Sequence, residues 1–361
     1  MRMHAKAEIM ENLKDITSPI EAFIKAAIKD DHIEIVPLAG DASNRRYFRV
    51  INTKATYVLM LWEPFKNDDS YPFLSVLRHF KKHDVQVPDV VGLDEKLGVV
   101  LLEDLGDLTL ERKFWENQDQ SLAFPFYQKA VDELIKIHYP ATFDHSVKCT
   151  AFSVAFDVEK LLWELNYARK NLIQEFCKAQ LSDVEQKVLD KTFLKICETL
   201  ANEPRTIAHR DYHSRNIMLK RNKARIIDFQ DARMGAIQYD LVSLAHDSYV
   251  ALKPKMIEMV LADYISKANE LRKDKINREH FDEIFEVQLI QRCFKACGSF
   301  SSFFNQRKDQ RYLKYLKPTV TKVAQHLKGK PEFKEFYGIL EDHGVIDFDF
   351  DNVALHLAPK R

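Results

Sequence analysis

The stretch His209-Arg210-Asp211-Tyr212-His213-Ser214-Arg215-Asn216 runs straight into Ile217-Met218-Leu219. It is followed, a few residues on, by Arg225-Ile226-Ile227-Asp228-Phe229-Gln230-Asp231, with Asp240 nine residues further along. Asp211 stands five residues before Asn216, and Asp228 twelve residues after it. The apolar runs read as strands, the second spanning 225–229 and carrying Asp228, so a strand–loop–strand unit returns all three groups to one side. Asp211 can accept the proton of an alcohol and aim its oxygen. Asn216 offers an amide oxygen and Asp228 a carboxylate, both hard ligands suited to Mg²⁺. Phosphoryl transfer asks for this set: an in-line acceptor oxygen, cations to neutralise the phosphate oxygens, and little covalent work from the protein. A turn that only caps its own backbone would need no such spacing.

Outward from that unit, the 361 residues suffice for one large or two small domains with a sizeable core. Lys plus Arg and Asp plus Glu both number 54, so the formal charge is zero, and a dedicated nucleic-acid binder is not expected. Met1 to Lys14 lacks a signal pattern, and no apolar run approaches membrane-spanning length. The five cysteines, Cys149, Cys177, Cys197, Cys293 and Cys297, are odd in number and scattered, and read as core thiols of a reducing compartment. A cytoplasmic protein is the expectation. Of the nine glycines no two lie two residues apart, which excludes both a Walker loop and a dinucleotide fingerprint.

In chain order, residues 5–30 show helical periodicity. Strands are expected at 33–38, 45–52 and 56–62, the first two joined by Ala39-Gly40-Asp41-Ala42-Ser43-Asn44. Backbone amides with Ser43 and Asn44 could meet phosphates there. Arg45 and Arg46 fall on opposite faces of the second strand, and alternation alone does not say which one faces inward. A helix at 70–83 and a short strand at 99–102 lead into Glu103-Asp104-Leu105-Gly106-Asp107. This reads as a hinge whose backbone near Glu103 and Leu105 could meet an adenine edge. Beyond Thr109 helical patterns dominate, at 121–138, 157–177, 183–200, 238–250, 254–270, 279–304 and 311–327. Phe300, Phe303 and Phe304 read as core, and Asp347 to Asp351 as a tail that docks or frays.

These residues together resemble the aminoglycoside/choline phosphotransferase family, the small-molecule branch of the protein-kinase-like fold, over about 33–327. More narrowly the chain is similar to bacterial N-acetylmuramate/N-acetylglucosamine kinases of cell-wall recycling. The carriers are Gly40-Asp41-Ala42-Ser43 with Arg45-Arg46-Tyr47-Phe48-Arg49, Leu102-Glu103-Asp104-Leu105-Gly106, the 209–216 loop, Asp228-Phe229-Gln230-Asp231-Ala232, Tyr239-Asp240-Leu241 and Gln291-Arg292. The resemblance implies an α+β bilobal fold, with a small antiparallel-sheet N-lobe over 1–103 and a large helical C-lobe over 104–361. It implies Asp211 as catalytic base, Asn216 and Asp228 as metal ligands, and Asp240 as an anchor of the catalytic loop through backbone amides. ATP and Mg²⁺ are the implied cofactors, and an amino sugar is the implied acceptor of a monomeric enzyme. The short interval from Asp231 to Asp240 leaves no room for a long activation loop, which favours a small-molecule acceptor over a protein.

One departure stands out. The third strand, Tyr57-Val58-Leu59-Met60-Leu61-Trp62, has no lysine, and 70–83 has no glutamate to pair with one. Arg45 or Arg46 is the expected substitute. Acceptor contacts are expected from Glu164, His213, Arg215 and Asp231, with Asn166 a further candidate. A carboxylate-bearing sugar calls for a cation, and Arg215, Arg233 and Arg292 all qualify. Two alternatives stay open: a choline- or aminoglycoside-type kinase of the same fold, and a nucleotide-binding pseudokinase.

Overall fold

The structure, a computed structural model, describes residues 15–38 and 45–356, the last three without their side chains. The loop bearing Ser43 and Asn44 therefore lies outside the described residues, as do residues 5–14 of the expected first helix. Helix α1 (Ser18–Ile28) starts with a proline in its first turn and stops at Lys29, whose φ is 55°. It is followed by β1 (Glu34–Pro37), β2 (Arg46–Ile51), β3 (Thr56–Leu61), α2 (Pro72–Lys82), β4 (Val90–Asp94) and β5 (Val99–Glu103). The strands form one antiparallel sheet in the order β1-β2-β3-β5-β4. Strand β4 was not expected. It is a short edge strand with a bulge between Val90 and Gly92, and so shows no clear alternation.

Strand alternation divides the sheet into two working faces. Phe48, Val50, Leu59, Leu61, Val99 and Leu101 point one way and bury Ile20 and Ile24 of α1. Met60, Val100 and Leu102 point the other way, into the main core with Phe73, Val76, Leu77 and Phe80 of α2. Both faces of the central strands are thus apolar, and β3 and β5 read as continuous rather than alternating runs.

The larger part is helical, with four short strands set into it. It contains α3 (Leu110–Trp115), α4 (Phe124–Lys136), α5 (Val158–Ala168), α6 (Asp183–Ala201), β6 (Arg205–Ala208), β7 (Ile217–Lys220), β8 (Lys223–Ile226) and β9 (Arg233–Ala236). Then come α7 (Ile237–Ala245), α8 (Pro254–Leu271), α9 (Arg278–Arg307), α10 (Leu316–Lys328), α11 (Lys334–Asp342) and α12 (Phe350–His356). Strands β7 and β8 pair as a hairpin, and β6 pairs with β9. The expected 225–229 strand ends early, at Ile226, and Asp228 follows it with φ 63°. Helix α9 is the axis of this part, packing on α5, α7 and α10. A Cβ at Gly298 would come within 2.4 Å of Ala168 Cα, so only glycine permits the close approach of α9 to α5. The tail docks: Phe348 and Phe350 both pack against Phe176. Among the described residues, no helix is long and apolar enough to cross a membrane.

Candidate active site

Loop 209–216 is held from several directions. The fully buried Asp240 accepts from the backbone N–H of His209 at 2.6 Å and of Arg210 at 3.0 Å, with His138 Nε2 3.3 Å away. Asp247, seven residues later, accepts from the backbone N–H of Ser214 at 2.8 Å. The His209 ring meets Ile227 O at 3.0 Å, and Tyr212 donates to Ala130 O at 2.6 Å. Arg210 and Asp228 both sit at positive φ, 85° and 63°. Such strain costs about 1–3 kcal/mol per residue and persists where surroundings over-determine the backbone, as this set of anchors does.

The anchors bring Asp211, Asn216 and Asp228 onto one cavity of about 1000 Å³ between the sheet and the helical part. Asn216 Nδ2 donates to Asp211 O at 2.9 Å and lies 3.2 Å from Asp228 Oδ2. Only an NH₂ can serve that carbonyl, so the amide is oriented and its oxygen remains available as a ligand. Gln230 donates to Asp228 Oδ1 at 2.9 Å. Burial pushes the Asp228 carboxyl up; the Gln230 bond opposes this, and the neighbouring Asp211 carboxylate adds to it. No Lys, Arg or His pairs with Asp228 among the described residues. A half-desolvated carboxylate beside another acid, with an oriented amide oxygen next to it, fits a hard divalent cation. Mg²⁺ in particular takes one or two protein oxygens and completes its shell with water and phosphate.

Asp211 lies among cations. Arg292 Nη2 is 3.3 Å from its Oδ1, Lys295 Nζ 4.0 Å from the same oxygen, and Arg210 Nε 3.9 Å from Oδ2. Burial alone would raise its pKa, but Lys295, Arg210 and Arg292 outweigh burial and hold the carboxyl far below the ordinary range. Lys295 itself is pushed down to about 8 by burial and by Arg292, with Asp211 offsetting part of that.

The adjacent arginines at the start of β2, Arg45 just before it and Arg46 its first residue, separate cleanly. Arg45 lines the cavity, its guanidinium 5.3 Å from the Trp62 ring centroid, whereas Arg46 is exposed on the opposite face and paired with Asp15. The expectation for Arg46 as a phosphate ligand is therefore corrected. Arg49, two positions on from Tyr47, shares the inward face. It binds Asp104 at 2.7 Å and Asp107 at 2.9 Å, tying the sheet to the segment after β5. Opposite it in register stands Val58, where β3 turns Val58 and Met60 inward and no lysine. The hinge also sharpens. Glu103 donates its N–H to Asp89 O, and its carboxylate pairs with Lys220 at 3.0 Å and Arg225 at 2.5 Å. Lys220 further occupies Asp104 O at 2.6 Å, so the Leu105 backbone is the hinge group left unbonded among the described residues.

Of the expected acceptor contacts, His213 and Asp231 line the cavity. His213 donates its N–H to Asp211 O at 3.0 Å, and burial drives its ring pKa down to about 3. Asp231 pairs with Arg210 at 3.1 Å. Arg215 does not reach the cavity. It forks onto Glu111 at 2.8 and 3.0 Å and lies over the Tyr249 ring, locking the loop to α3. Glu164 is neither a surface acid nor a cavity lining: it is fully buried behind the cavity, accepting from Gln291 at 3.0 Å, with Lys160 at 3.9 Å. Asn166 lies off the cavity too, and Arg233 faces a separate shallow one. Phe300 and Phe304 are buried in the core as expected and Phe303 packs against it; Phe300 and Phe303 also line the main cavity. Sequence reading missed Arg49, Arg210, Asp247 and Lys295. Lys295 did leave a signal, as a lysine inside the apolar run Leu289 to Cys297.

The sequence pattern of the phosphotransferase enzyme family (APH) matches residues 34–274. The N-acetylmuramate/N-acetylglucosamine kinase of Neisseria meningitidis serogroup B is 27% identical, over 85% of this chain and 91% of its own. That of Pseudomonas aeruginosa is 28% identical, over 85% and 88%. Among solved structures, the ADP-bound aminoglycoside phosphotransferase APH(2'')-Ib superposes with a TM-score of 0.57 at 15% identity, covering 86% of this chain and 98% of its own. Choline kinase LicA from Streptococcus pneumoniae gives 0.57 at 16% identity, over 87% and 100%. At such identities these two structures speak for the fold.

Proposed function

Because this chain belongs to the phosphotransferase enzyme family, we propose that it transfers the γ-phosphoryl group of ATP to a hydroxyl of an amino sugar, N-acetylmuramate or N-acetylglucosamine. The carrying observation is the convergence of Asp211, Asn216 and Asp228 on one cavity, in a chain whose relatives bear amino-sugar kinase names over most of their length. In this reading 1–103 forms the nucleotide-covering lobe and 104–361 the lobe that carries catalytic loop, metal site and acceptor. The adenine edge meets the Leu105 backbone, and Arg45 faces the phosphates. Asn216 and Asp228 hold Mg²⁺, which when bound neutralises phosphate charge.

Asp211 orients the acceptor hydroxyl so that its oxygen is in line with the γ-phosphorus. As the new P–O bond forms and the bond to ADP's leaving oxygen breaks, the hydroxyl proton passes to Asp211. A carboxyl held so far below its ordinary pKa is a weak base, so its work is chiefly aiming. That suits a loose transition state in which the proton leaves late. Arg292 and Lys295 beside Asp211 also bear on the alternatives. A cationic acceptor such as choline or a polyamine aminoglycoside would meet two positive charges at the point of transfer, which disfavours it.

The test is an ATP-consumption screen across N-acetylmuramate, N-acetylglucosamine, choline and aminoglycosides, run beside Asp211→Asn. Turnover with an amino sugar and a loss of about 10²-fold or more in the mutant are expected, the scale of a lost alignment of the reacting group. Turnover with choline alone, or with no alcohol at all, would refute the assignment.

A further inference from the structure

Helix α9 presents Arg292 and Lys295 one turn apart on the face that lines the cavity. Both are deeply set, their side chains 11% and 13% exposed. Arg292 is aimed from behind: its Nε donates to Ser243 Oγ at 3.1 Å, and its guanidinium lies 5.7 Å from the Tyr239 ring centroid. Its Nη2 reaches Asp211 at 3.3 Å, and its Nη1 has no partner among the described residues. Lys295 Nζ makes no hydrogen bond among the described residues, its nearest acidic oxygen being Asp211 Oδ1 at 4.0 Å.

The surrounding charges are otherwise committed. Arg210 pairs with Asp231, and Lys160 lies nearest Glu164. The two α9 cations therefore have one carboxylate within 4.0 Å between them, Asp211, while Glu164 acts on both from further away. The ammonium and half of the guanidinium fork face the cavity without a protein acceptor among the described residues. They are matched when an anion fills the gap, since a guanidinium edge beside an ammonium suits a planar carboxylate.

We infer that Arg292 and Lys295 form a carboxylate seat, which recognises an acidic substituent next to the acceptor's reacting hydroxyl. The inference rests on the amino-sugar reading above and deepens it: the preferred acceptor is an acidic sugar such as N-acetylmuramate, and a neutral sugar binds without using the seat. Of three arginines open to that role from sequence, it selects Arg292, since Arg215 is consumed by Glu111 and Arg233 faces another cavity. It adds Lys295. Further along the same helix face stand Ser299, Phe300 and Phe303, so the substituent has room to run along α9 away from Asp211.

The test compares kcat/KM for N-acetylmuramate, its lactyl amide and N-acetylglucosamine, in the full-length enzyme and in Lys295→Met and Arg292→Lys. Thermal melts establish that each variant is folded. The amide keeps the shape and removes the charge. Wild type should prefer the acid over the amide by about 10- to 100-fold, the range for a charge-assisted bond. Lys295→Met should abolish most of that preference, read as the ratio of kcat/KM for acid and amide within the variant, so that any effect on Asp211 common to both acceptors cancels. Arg292→Lys, which keeps one positive charge, should retain part of it. Equal use of acid and amide by wild type would overturn the inference while leaving the amino-sugar reading intact. So would a Lys295→Met variant that keeps the wild-type preference for acid over amide, whatever its kcat, since the lysine would then serve Asp211 or the phosphate and not the substituent. Failure to phosphorylate any of the three would overturn the amino-sugar reading itself, and the seat with it.

Discussion

Asp240→Asn tests how the site is held rather than what it does. The carboxylate is fully buried and gives one oxygen to His209 N–H at 2.6 Å and the other to Arg210 N–H at 3.0 Å. An amide has a single oxygen, so one of these donors must face an NH₂ group instead. The change removes one charge-assisted bond and leaves a buried donor without an acceptor. Together these are worth about 3–5 kcal/mol, a large part of the stability of an ordinary domain. The loop can relieve the conflict only by moving Arg210, and Asp211 is the next residue. A displacement near 1 Å at a reacting group costs on the order of 10²-fold in rate. Steady-state kinetics should therefore show kcat reduced by about 10²-fold, with KM for ATP little changed because Arg45 and the hinge lie on other elements. Urea unfolding should show a lower midpoint. A variant with wild-type midpoint and near wild-type kcat would refute the anchoring role and the account of why Arg210 tolerates its positive φ.

Three further predictions follow from the cavity. Arg45→Met should raise KM for ATP by about tenfold or more, the worth of a charge-assisted phosphate contact, whereas Arg46→Met on the opposite face should leave it unchanged. Asp228→Asn should move the Mg²⁺ concentration for half-maximal rate upward, and an Mg²⁺ titration that superposes on wild type would contradict its role as a ligand. Lys295 is pushed down to about 8, first by burial and then by Arg292, against Asp211 and Glu164. As pH rises through 8 it loses its proton, so KM for an acidic acceptor should climb while KM for a neutral sugar stays flat. The sign for stability is the opposite. Between about 8 and its ordinary 10.5 the unfolded chain binds the extra proton, so the penalty for a charged Lys295 holds below 8 and is relieved as pH rises.

The residues that could be read early share a property. Asp211, Asn216, Asp228 and Asp240 fall within a short interval; the spacing of one strand–loop–strand unit suggests what the first three do, and the family resemblance supplies the fourth. Even there Asp228 proved to lie past the strand rather than on it, because the left-handed turn at that residue has no signature in an aspartate. Acceptor contacts were harder. Glu164 and Arg215 carry the right charge, yet folding gave one to Gln291 and the other to Glu111. Lys295 was passed over on a helix read as core, because side chains lining a deep cavity and side chains filling a core follow the same apolar periodicity. Phe300 and Phe303 show the same overlap, being part of or packed on the core as expected while also lining the cavity.

Amino-acid order alone pointed to the reaction type, through chemistry packed into one loop, and to the fold class, through the family its motifs resemble. The tertiary structure decided everything that depends on which way a side chain faces and on who else arrives there. Parity puts one arginine of Arg45-Arg46 inside, but only the packing of α1 on the opposite face of the sheet says which one. A charged side chain is a ligand or a strut according to whether a counter-charge from a distant segment meets it. Arg215 and Arg292 carry the same guanidinium: Glu111 of α3 claims the first, and among the described residues the second meets no acidic side chain within 4.0 Å but Asp211.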